Sequence, residues 1–565
     1  MSAGAGRRFR PEYLVLWLAV AAACAIRLEY WWRDKAFWRD ELALIQSLDS
    51  YPLGRLLTGP LADSQSAPPG WLLLERLVTL VFADGERAYR LLPVLAGCGA
   101  VALTAVLALR FVRRPLAAVV PVLAIATISQ VVFYTAQTKQ YSMDMLLVTG
   151  LLVLAVRMVR RPPGRRVELL VYGGVALGAW FSHGLMLTAP VVLGWIALVS
   201  WRKGYRTLPQ LVARLVAPAV SVLLAALWAR HLTSLVADFQ TYWSGFMRPG
   251  RDELIGWHLF LARDFVVRNL GMPVVWAGGF VLLGLAIAGW RRWSRTSAVL
   301  LVLPLVPAYL AALARIYPFG QRLVLYCVPA LLVGLAVLVD WVAGLVRTAL
   351  SGRVGDGSSR PARVARIAGP VAGPVAGIVA GAVLVVGIGT IGWTTPGKLQ
   401  NDLRFLFGAD DYRVALRLVE SKWKPGDVLV SGHADRVAVR VYGERLGLPN
   451  EAMFYATPSL DPETREPERG GPDRSCPLPR KITAAPRVWL VSGDLTTVYE
   501  GELSRNALKL PMIDRYRQVW FEDKGLVSMQ VMMPGPNEEP PEAPPCLDYT
   551  PTGPVPDGPP PPSSS

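Results

Sequence analysis

The sequence predicts a polytopic α-helical membrane protein with a small α/β domain toward its C-terminal end. Three observations carry that expectation. The chain of 565 residues is 53% hydrophobic and only 18% charged. Its mean hydropathy of +0.35 is high for a soluble protein of this size. The apolar residues also fall in long blocks such as Val299–Leu313 and Leu323–Val339, where a soluble helix needs only a stripe.

Crossing roughly 30 Å of hydrocarbon takes about 20 apolar residues. About eleven segments read as spans: 11–30, 90–111, 115–134, 140–158, 167–182, 184–201, 207–229, 273–290, 296–314, 323–343 and 367–393. The first follows Arg7, Arg8 and Arg10 and runs into Arg27-Leu28-Glu29-Tyr30. That is not a small-residue cleavage site, so the run reads as a retained helix rather than a signal peptide.

Charge in the short loops sets the expected orientation. One set carries Arg110, Arg113 and Arg114, then Arg157, Arg160, Arg161, Arg165 and Arg166. It continues through Arg202, Lys203 and Arg206, then Arg291, Arg292 and Arg295, to the 344–366 linker. The opposite short loops carry Lys139, Arg315 and Arg322. The basic set and the N-terminus are therefore expected in the cytoplasm, with everything after the last span outside. The net charge of +17 is explained by arginines at span ends. No basic stripe is interleaved with aromatics, so the expected partner is the lipid bilayer and not nucleic acid. High Arg, Ala and Gly usage points to the plasma membrane of a high-GC bacterium.

The expected domains are a transmembrane domain over 1–394, an extracytoplasmic α/β domain over 395–533, and a disordered Pro-rich tail over 534–565. Within the first outer loop, 31–89, Pro68-Pro69-Gly70 precedes a short apolar stretch, Trp71 to Phe82. It suits a helix lying at the membrane interface, and Glu75 and Arg76 favour its surface placement. After 398 the pattern becomes that of a soluble α/β domain. Asp410–Lys422 and Arg436–Leu446 have helical period, and Asp427–Val430, Arg487–Val491 and Gly525–Met532 read as strands. Of five cysteines, Cys24, Cys98 and Cys327 lie in apolar spans, and Cys476 and Cys546 in the polar part. In an oxidising compartment the latter two can pair, which sequence alone leaves open.

Ionisable residues at the outer ends of spans are the candidates for chemistry, because burying them is costly. Phe37-Trp38-Arg39-Asp40-Glu41 follows the first span. Its carboxylates fit a general base or a metal-binding pair, and equally an interfacial helix with acids in its first turn. Tyr134 through Tyr141 forms a tight turn with Gln137 and the cation Lys139, followed by Asp144. Lys139 suits a lipid phosphate or a snorkelling span end, and Asp144 needs a partner that Lys139 or an Arg could supply. His183 sits in the turn Trp180–Gly184, and Arg322 closes Tyr317-Pro318-Phe319-Gly320-Gln321-Arg322. Each cluster alone has an ordinary structural explanation. Together they supply what transfer from a lipid phosphate needs: cations for the charge that develops on the leaving group and a carboxylate for the acceptor's proton.

The order of these motifs resembles the GT-C class of membrane glycosyltransferases, in the branch of the protein O-mannosyltransferases and the lipid A aminoarabinose transferase. The resemblance rests on Asp40-Glu41, on Ala67-Pro68-Pro69-Gly70-Trp71, and on Glu86 through Pro93. It extends through the Tyr134–Asp144 stretch to the turn ending at Arg322, over about residues 10–345. It implies inversion by direct displacement, with a polyprenyl-phosphate-linked sugar as donor and a cell-envelope glycan, lipid or protein as acceptor. Asp40 is then the base, with Glu41 beside it. Lys139 matches a position where a cation meets the carrier phosphate. Arg322, the other main cation at the short outer turns, is expected to share that donor phosphate, and Tyr134, Gln137, Tyr141 and His183 are candidates for substrate contact. If a divalent metal is used, Asp40 and Glu41 are its expected ligands, although Gln137 stands where relatives often carry Glu. Two other readings are a catalytically silent scaffold of the same fold and a transporter or flippase for a lipid-linked sugar. The absence of an internal repeat disfavours the transporter.

Overall fold

A computed structural model describes residues 11–350 except 38, 63–64, 83–84, 236–242, 273 and 292–293. It also describes 412–458 except 433–434, then 478–493, 516–534 except 525–526, and 547–551. The chain divides into two compact units, one of Met1–Arg33 with Ser66–Asp402 and one of Asp34–Gln65 with Leu403–Ser565.

The first unit is helical. Among its described residues seven helices are long and apolar enough to cross a membrane: Pro11–Trp32, Glu86–Leu109, Tyr141–Arg160, His183–Arg202, Leu208–Ser234, Arg295–Leu313 and Gln321–Val346. Each falls on an expected span. The expected spans 115–134, 167–182 and 273–290 fall on shorter helices, Pro115–Thr127 with Ser129–Tyr134, Arg165–Gly178, and Val275–Trp290. The span expected at 367–393 lies outside the described residues.

Lipid-facing and inward helices separate by burial. Leu208–Ser234 exposes Val212, Val216, Leu223 and Leu227, whereas Gln321–Val346 is enclosed almost throughout. Small residues allow the closest approach. Gly284 lies against the backbone of Gly334, whose carbonyl oxygen would stand 1.9 Å from a Cβ at 284, the packing expected where helices associate without a hydrophobic drive. At one end of the bundle Asp340 accepts from the Arg114 N–H at 3.0 Å and pairs with Arg291 at 3.1 Å. The buried carboxylate is thereby paid for by two of the arginines that marked the basic loops.

Pro69–Phe82 is a helix, as the apolar stretch predicts, but not one with a charged outer face. Trp71 and Glu75 are fully buried, while Leu77, Leu80, Val81 and Phe82 are exposed. Glu75 therefore lies inside the unit and does not mark the surface.

The second unit is built on a six-stranded sheet in the order β4-β5-β3-β1-β2-β6. Its strands are β1 Val428–Gly432, β2 Met453–Pro458, β3 Val488–Gly493, β4 Tyr516–Lys524, β5 Val527–Pro534 and β6 Leu547–Pro551. The central trio β3-β1-β2 is parallel and the outer pairs are antiparallel. Both faces of β1 are buried, as a central parallel strand requires. Val428, Val430, Phe454, Val488, Leu490 and Met532 form the core of one face. Helices Tyr412–Lys422 and Arg436–Arg445 fall where their periodicity predicted.

Two expectations are corrected here. The tail after 534 is not structureless throughout, because β6 pairs with β2 from Phe454↔Pro551 to Pro458↔Leu547. An edge strand tolerates proline, since one side of it makes no ladder bonds. The first outer loop also does not belong wholly to the transmembrane domain, because Asp34–Gln65 is part of the second unit. The candidate disulfide residues Cys476 and Cys546 lie outside the described residues.

Candidate functional site

The first unit collects its polar side chains around the turn 135–140. Helix Ser129–Tyr134 ends there and Tyr141–Arg160 begins. The turn is held from the first span by Arg27, which is fully buried. Its Nε donates to Thr135 Oγ1 at 3.2 Å, and its two terminal nitrogens donate to the Ala23 and Ile125 carbonyls at 3.0 and 3.1 Å. Thr135 in turn donates to the Val131 carbonyl at 2.7 Å. Thus one guanidinium ties three segments, which repays its desolvation. Sequence reasoning took Arg27 only as the flank of the first span. The available signal was its position inside the helix Pro11–Trp32 rather than beyond it.

Lys139 is 3% exposed and Gln137 1%, so Lys139 is enclosed and not a cation reaching out to the interface. Tyr134 and Tyr141 bracket the turn with ring centroids 5.7 Å apart, edge to face. Arg322 arrives from the far turn. Its guanidinium carbon lies 5.9 Å from the Tyr134 ring centroid and 5.5 Å from that of Trp243, within reach of both π faces.

That far turn is unusual in its backbone. Arg315 and Gln321 both have positive φ, 55° and 41°, a region that non-glycine residues rarely occupy. Surrounding contacts impose it. The Phe319 N–H donates to the Phe246 carbonyl at 2.9 Å, and Asn269 Nδ2 donates to the Gln321 carbonyl at 2.6 Å. A Cβ at position 320 would stand 2.1 Å from the Phe246 ring, so Gly320 is required by the close approach. Over-determined backbone of this kind marks ligand clamps and active sites. Burial raises the Tyr317 phenol well above its ordinary pKa, with Asp144 and Tyr141 adding to the shift. Tyr317 thus stays a neutral donor, to the Leu323 carbonyl at 3.4 Å.

His183 opens the helix His183–Arg202, with its ring 6.4 Å from that of Tyr317. Asp144 fixes this start. Its Oδ1 accepts from Ser182 Oγ at 2.6 Å and from the Gly184 N–H at 3.1 Å. Ser182 Oγ also accepts the Leu185 N–H at 2.9 Å as the helix cap. The expected cationic partner of Asp144 is therefore replaced by a hydroxyl and a backbone amide. Gly184 permits this, since a Cβ there would fall 2.6 Å from Tyr326.

The first unit thus gathers Tyr134, Gln137, Lys139, Tyr141, His183 and Arg322 onto three neighbouring turns. Asp40 and Glu41 belong to the second unit, in the first turn of helix Arg39–Ser50. Asp40 is half-buried and Glu41 fully buried. Adjacent helical residues point about 100° apart, and the two carboxylates differ in burial. Among the described residues no three His, Cys, Asp or Glu side chains converge as a metal site. The segment before this helix is fastened to the α/β core. The Phe37 N–H donates to Tyr442 Oη at 2.7 Å, and Arg413 pairs with Asp34 at 3.5 Å.

No protein-family model matches the chain, and no curated protein matches it in sequence. Solved structures do. ArnT from Cupriavidus metallidurans bound to undecaprenyl phosphate aligns with a TM-score of 0.51 and 14% identity, over 93% of this chain and 98% of that one. Its apo form aligns with a TM-score of 0.50 and 14% identity, over 92% and 97%. The oligosaccharyltransferase of Archaeoglobus fulgidus, in complex with zinc and sulfate, gives a TM-score of 0.46 and 12% identity over 91% and 72%. Both forms of ArnT align along nearly the whole of each chain, and the present chain shares their fold.

Proposed function

We propose that the chain is an inverting glycosyltransferase that moves a sugar from a polyprenyl-phosphate donor to a cell-envelope acceptor on the extracytoplasmic face. The observation that carries this reading is the alignment along 98% of ArnT, a protein solved with undecaprenyl phosphate bound. The enclosed Lys139 and the stacked Arg322 support it, because a lipid phosphate leaving group needs cations held in place. In this reading Asp40 takes the proton of the acceptor hydroxyl as its oxygen attacks the anomeric carbon. The bond from that carbon to the phosphate oxygen breaks on the opposite side, and its electron pair leaves with the polyprenyl phosphate. Lys139 and Arg322 stabilise the charge that appears there. Tyr134, Gln137, Tyr141 and His183 line the donor's path.

The sugar and acceptor are open to direct assay. Purified full-length protein in lipid should release polyprenyl phosphate from one member of a panel of polyprenyl-phosphate sugars when envelope extract is supplied. Parallel reactions with a chelator test for a divalent metal. Intact donors across the whole panel, with and without metal, would refute the reading.

A further inference from the structure

The helix pair Arg295–Leu313 is apolar enough to cross a membrane, and Arg315 follows it by two residues. Its exposed side chains Val306 and Leu310 lead directly to Ile316, which is 62% exposed. Helix Leu254–Asp264 carries apolar side chains on both its buried and its exposed side, with His258 and Arg263 also exposed. Trp257 and Leu261 are buried, while Ile255 and Leu259 stand 79% and 67% exposed. Exposed apolar side chains on a short helix beside the end of an apolar span are the pattern of a helix that lies at a membrane interface.

The chain just before this helix is joined to the end of the span by one backbone and one side-chain hydrogen bond. The Arg248 N–H donates to the Ala312 carbonyl at 3.1 Å, and Arg315 Nε donates to the Arg248 carbonyl at 2.7 Å. Between them lies a cleft of about 350 Å³ lined by Arg248, Pro249, Gly250, Arg251, Leu254 and Arg315. Three of its six lining residues are arginines and none is acidic. Asp252 and Glu253 follow in the chain but do not line it. Like charges gathered around one cleft repel, and an anion offsets that cost. Guanidinium groups match phosphate in geometry as well as charge. The positive φ of Arg315 shows that its place at the rim is imposed by the fold.

We propose that this cleft binds the phosphate group of an anionic lipid at the headgroup level of the membrane. None of its lining residues belongs to the turn that holds Lys139 or to the Arg322 stack. A phospholipid headgroup and a polyprenyl phosphate share the chemistry it would recognise.

Native mass spectrometry of the full chain, released from micelles doped with one lipid at a time, tests the proposal without requiring sugar transfer. The lipids are phosphatidylglycerol, a polyprenyl phosphate, and diacylglycerol as the phosphate-free control. The variant Arg248→Gln/Arg251→Gln removes two exposed guanidiniums and leaves the Arg315 bond to the Arg248 carbonyl in place. It should weaken retention of one anionic lipid per chain by about tenfold and leave diacylglycerol unchanged. Selective loss of phosphatidylglycerol identifies a bulk phospholipid as the occupant, and selective loss of polyprenyl phosphate identifies the carrier. Loss of both supports a site that reads phosphate alone. Unchanged retention of both anionic lipids overturns the proposal. So does an equal loss in Arg165→Gln/Arg166→Gln, two exposed arginines elsewhere, because the effect would then be one of net charge.

Discussion

Asp144 is 2% exposed on a helix long and apolar enough to cross a membrane, where an ionisable group is expensive to hold. Its use is to organise the turn that begins the next helix, through Ser182 and the Gly184 amide. Asp144→Ala should leave both donors without an acceptor. The expected cost is about 1–3 kcal/mol, read as a lower midpoint of thermal unfolding in detergent; an unchanged midpoint would show that the bonds carry no net stability. The cations nearby are expected to act on the donor instead. Lys139→Gln/Arg322→Gln should weaken donor binding by about 100-fold or more, the loss of two charge-assisted contacts. Wild-type affinity in that variant would remove both residues from the phosphate site. Asp40→Asn should do the opposite, cutting turnover by about 10²–10⁴-fold with little change in donor affinity. Single-turnover measurement at saturating donor separates the two effects, and near-normal turnover would take the role of base away from Asp40.

At the scale of elements, the helix Arg39–Ser50 links the proposed chemistry to the α/β unit. Its mount is the Phe37–Tyr442 contact, with the N–H bond at 2.7 Å and the rings 6.4 Å apart at 27°. Arg445 adds a cation 5.7 Å over the Phe37 ring. Tyr442→Phe keeps the ring and removes the only hydroxyl, leaving the buried Phe37 amide without this acceptor. Amide exchange across residues 37–48 should accelerate by about tenfold or more, as a loss of 1–3 kcal/mol of local stability implies. Exchange as slow as in the wild type would show that the helix is held by its apolar face alone. None of this was legible in the sequence, because residues 37 and 442 are brought together by the fold and no local period encodes their pairing. The spans were legible for the converse reason, since the thickness of hydrocarbon imposes a block length on each run. Strands β1, β3 and β5 were also visible as short apolar runs. Strands β2 and β4 carry mixed sequences, Met453–Pro458 and Tyr516–Lys524, and β6 lies in a Pro-rich stretch, so their pairing decides them rather than their composition.

For the whole molecule, the mount has a topological consequence. Residues 34–65 follow directly on the first span, and they share one compact unit with residues after 403. A compact unit cannot straddle hydrocarbon, so the chain between 65 and 403 must cross the membrane an even number of times. The eleven spans expected from the sequence would meet this condition, with ten between those points, and the short-loop arginines lead to the expectation that the unit lies outside. Candidate site residues were legible as charges near span ends, whereas which of them share a unit was not. Asp40 looks in sequence like a neighbour of the first span and is carried instead on a helix of the α/β unit. The arrangement can be tested with single cysteines at Ser50 and Ser421, both exposed, in a chain whose Cys476 and Cys546 are changed to serine. A membrane-impermeant maleimide added to intact cells should label both positions to the same extent, and a cysteine at Arg165, in a basic short loop, only after the cells are opened. Labelling of Ser50→Cys without Ser421→Cys would separate the two halves of the unit across the membrane, and with it the α/β domain from the helix that carries Asp40.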